Sequence, residues 1–280
     1  MLAGNIEARK IFNNFMHVVI VILTVLALIP LISILSYIIY KGYKVINFEF
    51  LTSLPTPAGD IGGGIGNAIL GTLVLVGVAS VIGLPIGIMS AIYLNEYEPK
   101  GKFAEVVRFV VDILLGIPSV VVGIFAYIAF VKPFGGFSAM SGGMALTIIL
   151  IPIVTRSTEG VLKLVPNEYR EGSYALGVSK WQTIVKIVIP TAMKGIVTGV
   201  MLAVARAAGE TAPLLLTAFG NQYWSSSLSE PIASLPAQIF QYAKSPYTDW
   251  IDKAWGAALV LIIMVLFLNI TARIITRKKY

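Results

Sequence analysis

The stretch VPNEYREGSYALGVSKWQTIVKIVIPTAMKG, residues 165–195, contains the signals of two helices separated by a turn. The dipeptide Pro166–Asn167 is typical of a helix start, and Gly177 is typical of a helix stop. Ser179 and Gln182 have the spacing of a capping box, which predicts a second helix. Apolar residues follow on one face of that helix: Trp181, Ile184, Val185, Val188 and Ile189. We therefore expect a short helix, a tight turn and an amphipathic helix at a membrane surface.

On both sides of this stretch the chain is too apolar for a soluble protein. Of its 280 residues 57% are hydrophobic and 12% are charged, whereas soluble domains carry about 25% charged residues. The absence of cysteine excludes a disulfide framework and a thiolate metal site. The net charge of +7 comes from basic residues scattered over short loops, which indicates membrane topology and not nucleic-acid binding. We expect a single transmembrane domain, residues 1–280, in contact with lipid and without a metal.

Six apolar stretches are long enough to cross a bilayer, which requires about 20 residues each. They are residues 15–40, 66–94, 104–131, 144–164, 195–219 and 254–276. The first is too long for a signal-peptide core and predicts a retained helix.

Fourteen of the 21 basic residues, including the C-terminal tail Arg277–Lys279, lie on one side of the predicted membrane and five on the other. The positive-inside rule makes the first side cytoplasmic. We expect a multi-pass protein of the cell (inner, cytoplasmic) membrane, with both termini in the cytoplasm and residues 165–190 forming a cytoplasmic loop.

Two pairs of glycines have the GxxxG spacing, which lets membrane helices approach closely. Gly83 and Gly87 lie in the second span, and Gly195 and Gly199 lie in the fifth. We expect them to pack helices within one subunit and not to form a dimer.

Two arginines and two glutamates lie inside predicted spans. Arg156 and Glu159 are three residues apart, and Arg206 and Glu210 are four apart, so each pair shares one helical face. Each uncompensated charge costs about 2.5–3.5 kcal/mol at a helix centre, so the four groups must be paired or hydrated. Two interpretations stay open. The pairs lock helices together, or the arginines line a path for a tetrahedral oxyanion, whose geometry suits a guanidinium fork.

Predicted helix breaks favour the second interpretation. Gly209 and Pro213 interrupt the fifth span, and residues 116–118 interrupt the third. Irregular backbone at membrane depth is tolerated where it lines a cavity or is packed by protein. Asp112, on the cytoplasmic half of the third span, is expected to pair with Arg108 and not to bind substrate.

The cytoplasmic stretch carries a family resemblance. The spacing E-x5-G-x9-I-x-x-P is reproduced by Glu171, Gly177, Ile187 and Pro190. This resembles the EAA loop of permease subunits of ABC importers, although Gly172 and Ser173 replace the paired alanines. The resemblance implies an all-α membrane protein with six transmembrane helices and a cytoplasmic coupling helix, at about residues 167–176, that docks on an ATPase subunit. The residues it implies for ATPase coupling are Glu168, Arg170, Glu171, Tyr174, Ala175 and Gly177.

Four stretches together resemble permeases of the Pst-type phosphate importer. They are GGGIGNAILGTL (62–73), GIPSVVVG (116–123), YALGVSKWQTIVKIVIP (174–190) and ARAAGETAPLLLTA (205–218). The last of these is more similar to the PstA type than to the PstC type, which stays open. The resemblance implies phosphate passage past Arg156, Glu159 and Arg206, with Glu210 completing the pattern. It implies as partners a homologous PstC-like permease, a PstB-like ATPase dimer and a PstS-like extracytoplasmic phosphate-binding protein.

The chain is not expected to be an enzyme or to hold a cofactor. A P-loop requires G-x-x-x-x-G-K-[ST], and the nearest approach, starting at Gly172, lacks the lysine. ATP and Mg are therefore expected on the partner ATPase. A membrane phosphatase or lipid transferase would need a nucleophile with a base, and the single histidine, His17, is expected only to pack.

One transport alternative stays open. In an ion-coupled secondary anion transporter Glu159 and Glu210 would carry protons, although the sequence has no convincing inverted repeat. The residues also do not distinguish phosphate from a similar oxyanion such as arsenate.

Overall fold

The computed structural model describes residues 6–57, 59–60 and 62–277, with side chains described for 9–57, 59–60 and 62–274. This part of the chain is helical and contains no strand. The helices are α1 (Ile6–Gly42), α2 (Phe48–Thr52), α3 (Gly66–Ile92), α4 (Lys102–Gly116), α5 (Ser119–Ala126), α6 (Ala139–Lys163), α7 (Asn167–Ala175), α8 (Lys180–Thr183), α9 (Ile189–Ala208), α10 (Ala212–Thr217), α11 (Leu235–Ala243) and α12 (Thr248–Arg277). Single π-helical turns follow α3, α5 and α8, at Tyr93–Tyr97, Tyr127–Val131 and Ile184–Val188. Lys278 and Lys279 of the basic tail lie outside the described residues.

The described residues include five helices that are long and apolar enough to cross a membrane. A sixth span results when α4 and α5, which bend sharply at their junction, are counted as one. The predicted all-α fold with six membrane spans is therefore confirmed.

The third predicted span, residues 104–131, is not one continuous helix. α4 and α5 meet at an angle of 107° across Ile117 and Pro118. Pro118 has no N–H to continue the helix, and its ring disfavours helical backbone at Ile117, whose ψ is 133°. The break predicted at residues 116–118 is therefore present, because these local preferences outweigh the apolar composition.

The prediction of a separate surface helix before the fifth span was wrong. One helix continues from Lys180 to Ala208, and a π-helical turn at Ile184–Val188 immediately precedes Pro190. Such a turn accommodates the proline without ending the helix. The predicted capping box is absent, since the Ser179 side chain caps nothing and Thr183 N–H donates to its backbone carbonyl instead, at 3.0 Å.

The long helix α6 is the centre of the fold, with α3 and α9 packed on it. A Cβ atom at Gly83 would lie 2.8 Å from Leu150, and one at Gly87 would lie 2.8 Å from Val154. On the α9 side, Cβ atoms at the GxxxG glycines would meet side chains of α6: Val161 at Gly195 and Ser157 at Gly199. All four glycines therefore let helices of one chain approach α6 closely, as predicted.

The first membrane helix has few contacts with the rest of the chain. α1 packs against α12 near its C-terminal end, where the rings of Tyr37 and Trp255 lie 5.0 Å apart. A Cβ atom at Gly42 would lie 2.7 Å from the Trp255 carbonyl oxygen. Most of α1 is consequently exposed in the single chain.

Candidate functional site

Three charged side chains lie on the C-terminal half of α6: Arg156, Glu159 and Lys163. The Glu159 carboxylate is 1% exposed, whereas the Arg156 side chain is 46% exposed. Glu159 Oε1 accepts from Arg108 Nε at 2.7 Å and lies 2.8 Å from Lys163 Nζ. Its other oxygen, Oε2, accepts from Arg156 Nη1 at 3.4 Å. The predicted pairing of Arg156 with Glu159 is present, but it is the longest of the three contacts.

The predicted pairing of Arg108 with Asp112 is wrong. Arg108 instead binds Glu159 and donates to the backbone carbonyls of Leu94 at 2.7 Å and Pro99 at 3.0 Å. Asp112 Oδ1 lies 3.4 Å from Arg156 Nε, with both side chains about half exposed. The spacing of four residues within α4 would allow Arg108 to pair with Asp112. Packing of α4 on α6 instead places Arg108 next to the buried carboxylate of Glu159.

The second pair, Arg206 and Glu210, lies at the end of α9. Arg206 Nε is 3.7 Å from Glu210 Oε1, which is too long for a hydrogen bond. Arg206 is 53% exposed and Glu210 only 13%. Both line a narrow crevice that Ile117, Ser119 and Ile153 also line. The pair therefore sits beside the break between α4 and α5.

Arg156 and Arg206 lie at different heights along the axis of α6. α6 and α9 run antiparallel, because Gly195 packs on Val161 and Gly199 packs on Ser157. Continuing that register places Arg206 level with residue 150 of α6. At 1.5 Å per residue, Arg206 is therefore about 9 Å nearer to the N-terminal end of α6 than Arg156.

The two irregular backbone segments are neighbours. α5 packs on α10, where a Cβ atom at Gly123 would lie 2.9 Å from the Cα of Pro213. Helix α9 ends at Ala208, and the chain resumes helical geometry only at Ala212. Both predicted breaks are present, and protein packing covers part of the interrupted backbone, as the absence of water in a bilayer requires.

The predicted coupling helix is present as α7, and Gly177 ends it. Gly177 has φ +76°, its N–H donates to the Tyr174 carbonyl at 2.9 Å, and Val178 N–H donates to the Ser173 carbonyl at 3.2 Å. These two bonds form a Schellman motif, which requires the left-handed conformation that glycine adopts without strain. Five of the predicted coupling residues are exposed: Glu168, Glu171, Tyr174, Ala175 and Gly177.

Arg170, the sixth predicted coupling residue, points into the protein. Its Nε and Nη2 donate to the two oxygens of Glu96 at 3.0 and 2.6 Å. It also donates to the carbonyl of Leu162, in the last turn of α6, and to that of Val165, just after the helix ends. The bonds to Glu96 raise the pKa of the Arg170 guanidinium above its ordinary value. Arg170 therefore attaches the coupling helix to the rest of the chain.

A buried hydroxyl pair joins α7 to the following helix. Ser173 Oγ and Thr183 Oγ1 are 2.8 Å apart, and both residues are buried. A serine thus replaces the family's second alanine without leaving its hydroxyl unsatisfied.

Sequence reasoning missed three residues of this arrangement: Glu96, Arg108 as a partner of Glu159, and Lys163. The spacing of four residues between Glu159 and Lys163 was an available signal. The sequence carries no comparable signal for the pairs that join Arg108 to Glu159 or Glu96 to Arg170, because their members are 51 and 74 residues apart.

Comparison with known proteins places the chain in a family. Residues 83–278 match the family described as "Binding-protein-dependent transport system inner membrane component". The chain is 48% identical over 239 residues to "Phosphate transport system permease protein PstA" of Yersinia pestis, which covers 85% of this chain and 81% of that protein. It is 44% identical over 215 residues to "Phosphate transport system permease protein PstA 1" of Mycobacterium tuberculosis strain H37Rv, over 76% and 70% of the two chains. These similarities do not favour an ion-coupled carrier.

Solved structures share the fold. A chain of a bacterial alginate ABC transporter superposes with a TM-score of 0.68 over 97% of each chain, at 16% identity. A chain of the inward-facing MetNI methionine ABC transporter gives a TM-score of 0.62 over 77% of this chain and 94% of that one, at 21% identity. The chain is a multi-pass membrane protein, and it belongs to the inner membrane components of binding-protein-dependent transport systems and, among them, to the PstA family of phosphate transport permeases.

Proposed function

We propose that inorganic phosphate crosses the membrane beside Arg156 and Arg206. As a PstA family member, the chain is the permease subunit of an ABC-type phosphate importer. The observation that supports this path is the exposure of both guanidinium groups, 46% and 53%, from helices that cross the membrane. A charge facing lipid at a helix centre costs about 2.5–3.5 kcal/mol. Such a face is stable when it is hydrated or covered by a polar partner.

The chemistry of the two arginines suits phosphate. A guanidinium is always protonated and presents its N–H groups as a planar fork that binds two oxygens of a tetrahedral anion. In the described part of the chain, Arg156 Nη2 and the three guanidinium nitrogens of Arg206 lack a hydrogen-bond partner. These donors are available to a passing anion.

The neighbouring carboxylates set how tightly the anion is held. Glu159 and Glu210 are the more buried members of their pairs. Each lies within 4 Å of its arginine, so both lower the positive potential that phosphate experiences. Conduction requires a site that is attractive enough to enter and weak enough to leave. The separation of about 9 Å, at 1.5 Å per helical residue, suits transfer from Arg206 to Arg156 on the way in.

The exposed face of α7 is the proposed contact with the ATPase. It carries Glu168, Glu171 and Tyr174, and the helix ends at the rigid turn of Gly177. In the proposed assembly the chain pairs with a PstC-like permease, a PstB-like ATPase dimer that binds ATP and Mg, and a PstS-like phosphate-binding protein outside. ATP binding closes the dimer and moves α7, and the path changes the side to which it opens. In this proposed assembly α7 and both termini lie in the cytoplasm.

Replacement of the arginines tests the path. We expect Arg206→Gln or Arg156→Gln to abolish most uptake of radiolabelled phosphate while the importer still assembles in the membrane. Arg273→Gln provides the matched control, because Arg273 is an exposed arginine of membrane helix α12 outside the path. Normal uptake by the assembled Arg156→Gln and Arg206→Gln variants would exclude the proposed route. Uptake by the chain alone under a proton gradient, without ATP, would instead indicate an ion-coupled carrier.

A further inference from the structure

The buried carboxylate of Glu159 is shared unequally among three cations. Arg108 and Lys163 contact Oε1 at 2.7 and 2.8 Å, whereas Arg156 reaches Oε2 only at 3.4 Å. Charge-assisted hydrogen bonds between nitrogen and carboxylate are strongest at about 2.7–2.9 Å. The carboxylate is therefore bound mainly by Arg108 and Lys163, and Arg156 is its weakest partner.

Arg108 is the fixed member of this group. It is 18% exposed, and its other two nitrogens donate to the carbonyls of Leu94 and Pro99. Lys163 is 52% exposed and its flexible stem is not held in this way. Removal of Arg108 would therefore release Glu159 more than removal of Lys163 would.

The formal charges show what that release would do. Arg108, Arg156 and Lys163 contribute three positive charges, and Asp112 and Glu159 contribute two negative ones, so the cluster has a net charge of +1. Without Arg108 the net charge is zero. Glu159 would then be free to bind Arg156 closely and to occupy the donors that an oxyanion needs.

We infer that Arg108, supported by Lys163, is a positioning residue that keeps Glu159 from neutralising Arg156. Arg108 does not touch the anion in this arrangement, and it acts through Glu159. The inference rests on the proposed role of Arg156 in phosphate passage. Arg156 can receive phosphate although it lies beside Glu159, because Arg108 and Lys163 already bind the other oxygen of that carboxylate.

The test uses the complete importer with its phosphate-binding protein, reconstituted in liposomes. Radiolabelled phosphate uptake and ATP hydrolysis are measured together. We expect Arg108→Gln to lower the phosphate transported per ATP hydrolysed by about tenfold, a fall that corresponds to roughly 1.4 kcal/mol. We expect the double variant Arg108→Gln with Glu159→Gln to recover the ratio of Glu159→Gln alone, because no carboxylate remains to block Arg156.

Two further variants separate positioning from a merely structural role. Arg108→Lys keeps the positive charge near Glu159 but loses the bonds to two carbonyls, and we expect a ratio between those of the unchanged protein and of Arg108→Gln. Lys102→Gln removes a charge from an exposed residue of the same helix and serves as the control. Equal loss in Arg108→Lys and Arg108→Gln, or no recovery in the double variant, would overturn the inference.

Arg156→Gln, measured in parallel, distinguishes the two proposals. If it transports normally, the phosphate path itself is wrong. If it loses transport while assembled Arg108→Gln keeps the normal ratio, the path stands and only the positioning role of Arg108 is wrong.

Discussion

Arg170 of α7 forms a bidentate ion pair with Glu96, which lies in the π-helical turn that ends the second span. The two contacts are 2.6 and 3.0 Å, and the side chains are 13% and 3% exposed. Because Arg170 also binds carbonyls at the end of α6, one side chain connects three segments. These contacts attach α7 to the π-helical turn after α3 and to the end of α6.

The first prediction concerns this pair. Glu96→Gln leaves Arg170 largely buried without its counter-charge, and loss of one partner of a buried pair costs about 3–5 kcal/mol. We expect a lower apparent thermal midpoint of the purified importer and less assembled protein in the membrane. Glu105→Gln is the control, since that carboxylate, in the first turn of α4, is exposed. Equal midpoints for the two variants would show that the pair contributes little.

The second prediction concerns the end of the coupling helix. At Gly177 the left-handed φ of +76° strains any residue with a Cβ, although no atom lies within 4 Å of the added carbon. Gly177→Ala should destabilise the turn by about 1–2 kcal/mol, with Gly177→Asn less severe. Gly172→Ala, inside the same helix and equally unobstructed, should stabilise it by about 0.5–1 kcal/mol. Thermal midpoints that change in the same direction would contradict this assignment of strain.

The third prediction concerns helix packing on α6. A Cβ at Gly87 would lie 2.8 Å from the Cβ of Val154, a branched residue that has no room to move away. Gly87→Ala should therefore destabilise the protein by about 1–3 kcal/mol through overpacking. Gly77→Ala, on an exposed part of the same helix with no atom nearby, should not destabilise it. Thermal midpoints of the two purified variants provide the measurement, and a stable Gly87→Ala variant would show that α3 can move away from α6.

The fourth prediction concerns the partner surface of α7. Leu176, at the end of the helix, is 84% exposed, so a contact with the ATPase would remove its apolar surface from water. We expect Leu176→Ser to leave the folding of the chain unchanged and to reduce the amount of ATPase that co-purifies with it. Leu228→Ser, an exposed leucine on the other side of the predicted membrane, should keep the ATPase. Full retention of the ATPase by Leu176→Ser would place the contact elsewhere on α7.

The sequence contained enough information to predict the fold and the family. Apolar runs of about 20 residues become membrane helices because a bilayer leaves backbone groups no water to bind. Gly177 ended α7 as predicted, because a glycine in the left-handed conformation satisfies the last carbonyls without strain. The pairings of Arg156 with Glu159 and of Arg206 with Glu210 were likewise predicted, since spacings of three and four residues place side chains on one helical face.

What the tertiary structure alone decided is how the charges are shared between helices. Sequence spacing paired Arg108 with Asp112, whereas packing placed Arg108 against Glu159 and left Asp112 beside Arg156. Arg170 was predicted to be part of the exposed coupling surface, but tertiary packing places it against Glu96. Local periodicity fixes which face of a helix a residue occupies. A buried charge, however, binds the counter-charge that tertiary packing places next to it, because an unpaired charge in a medium of low dielectric costs more free energy than a local pairing preference supplies.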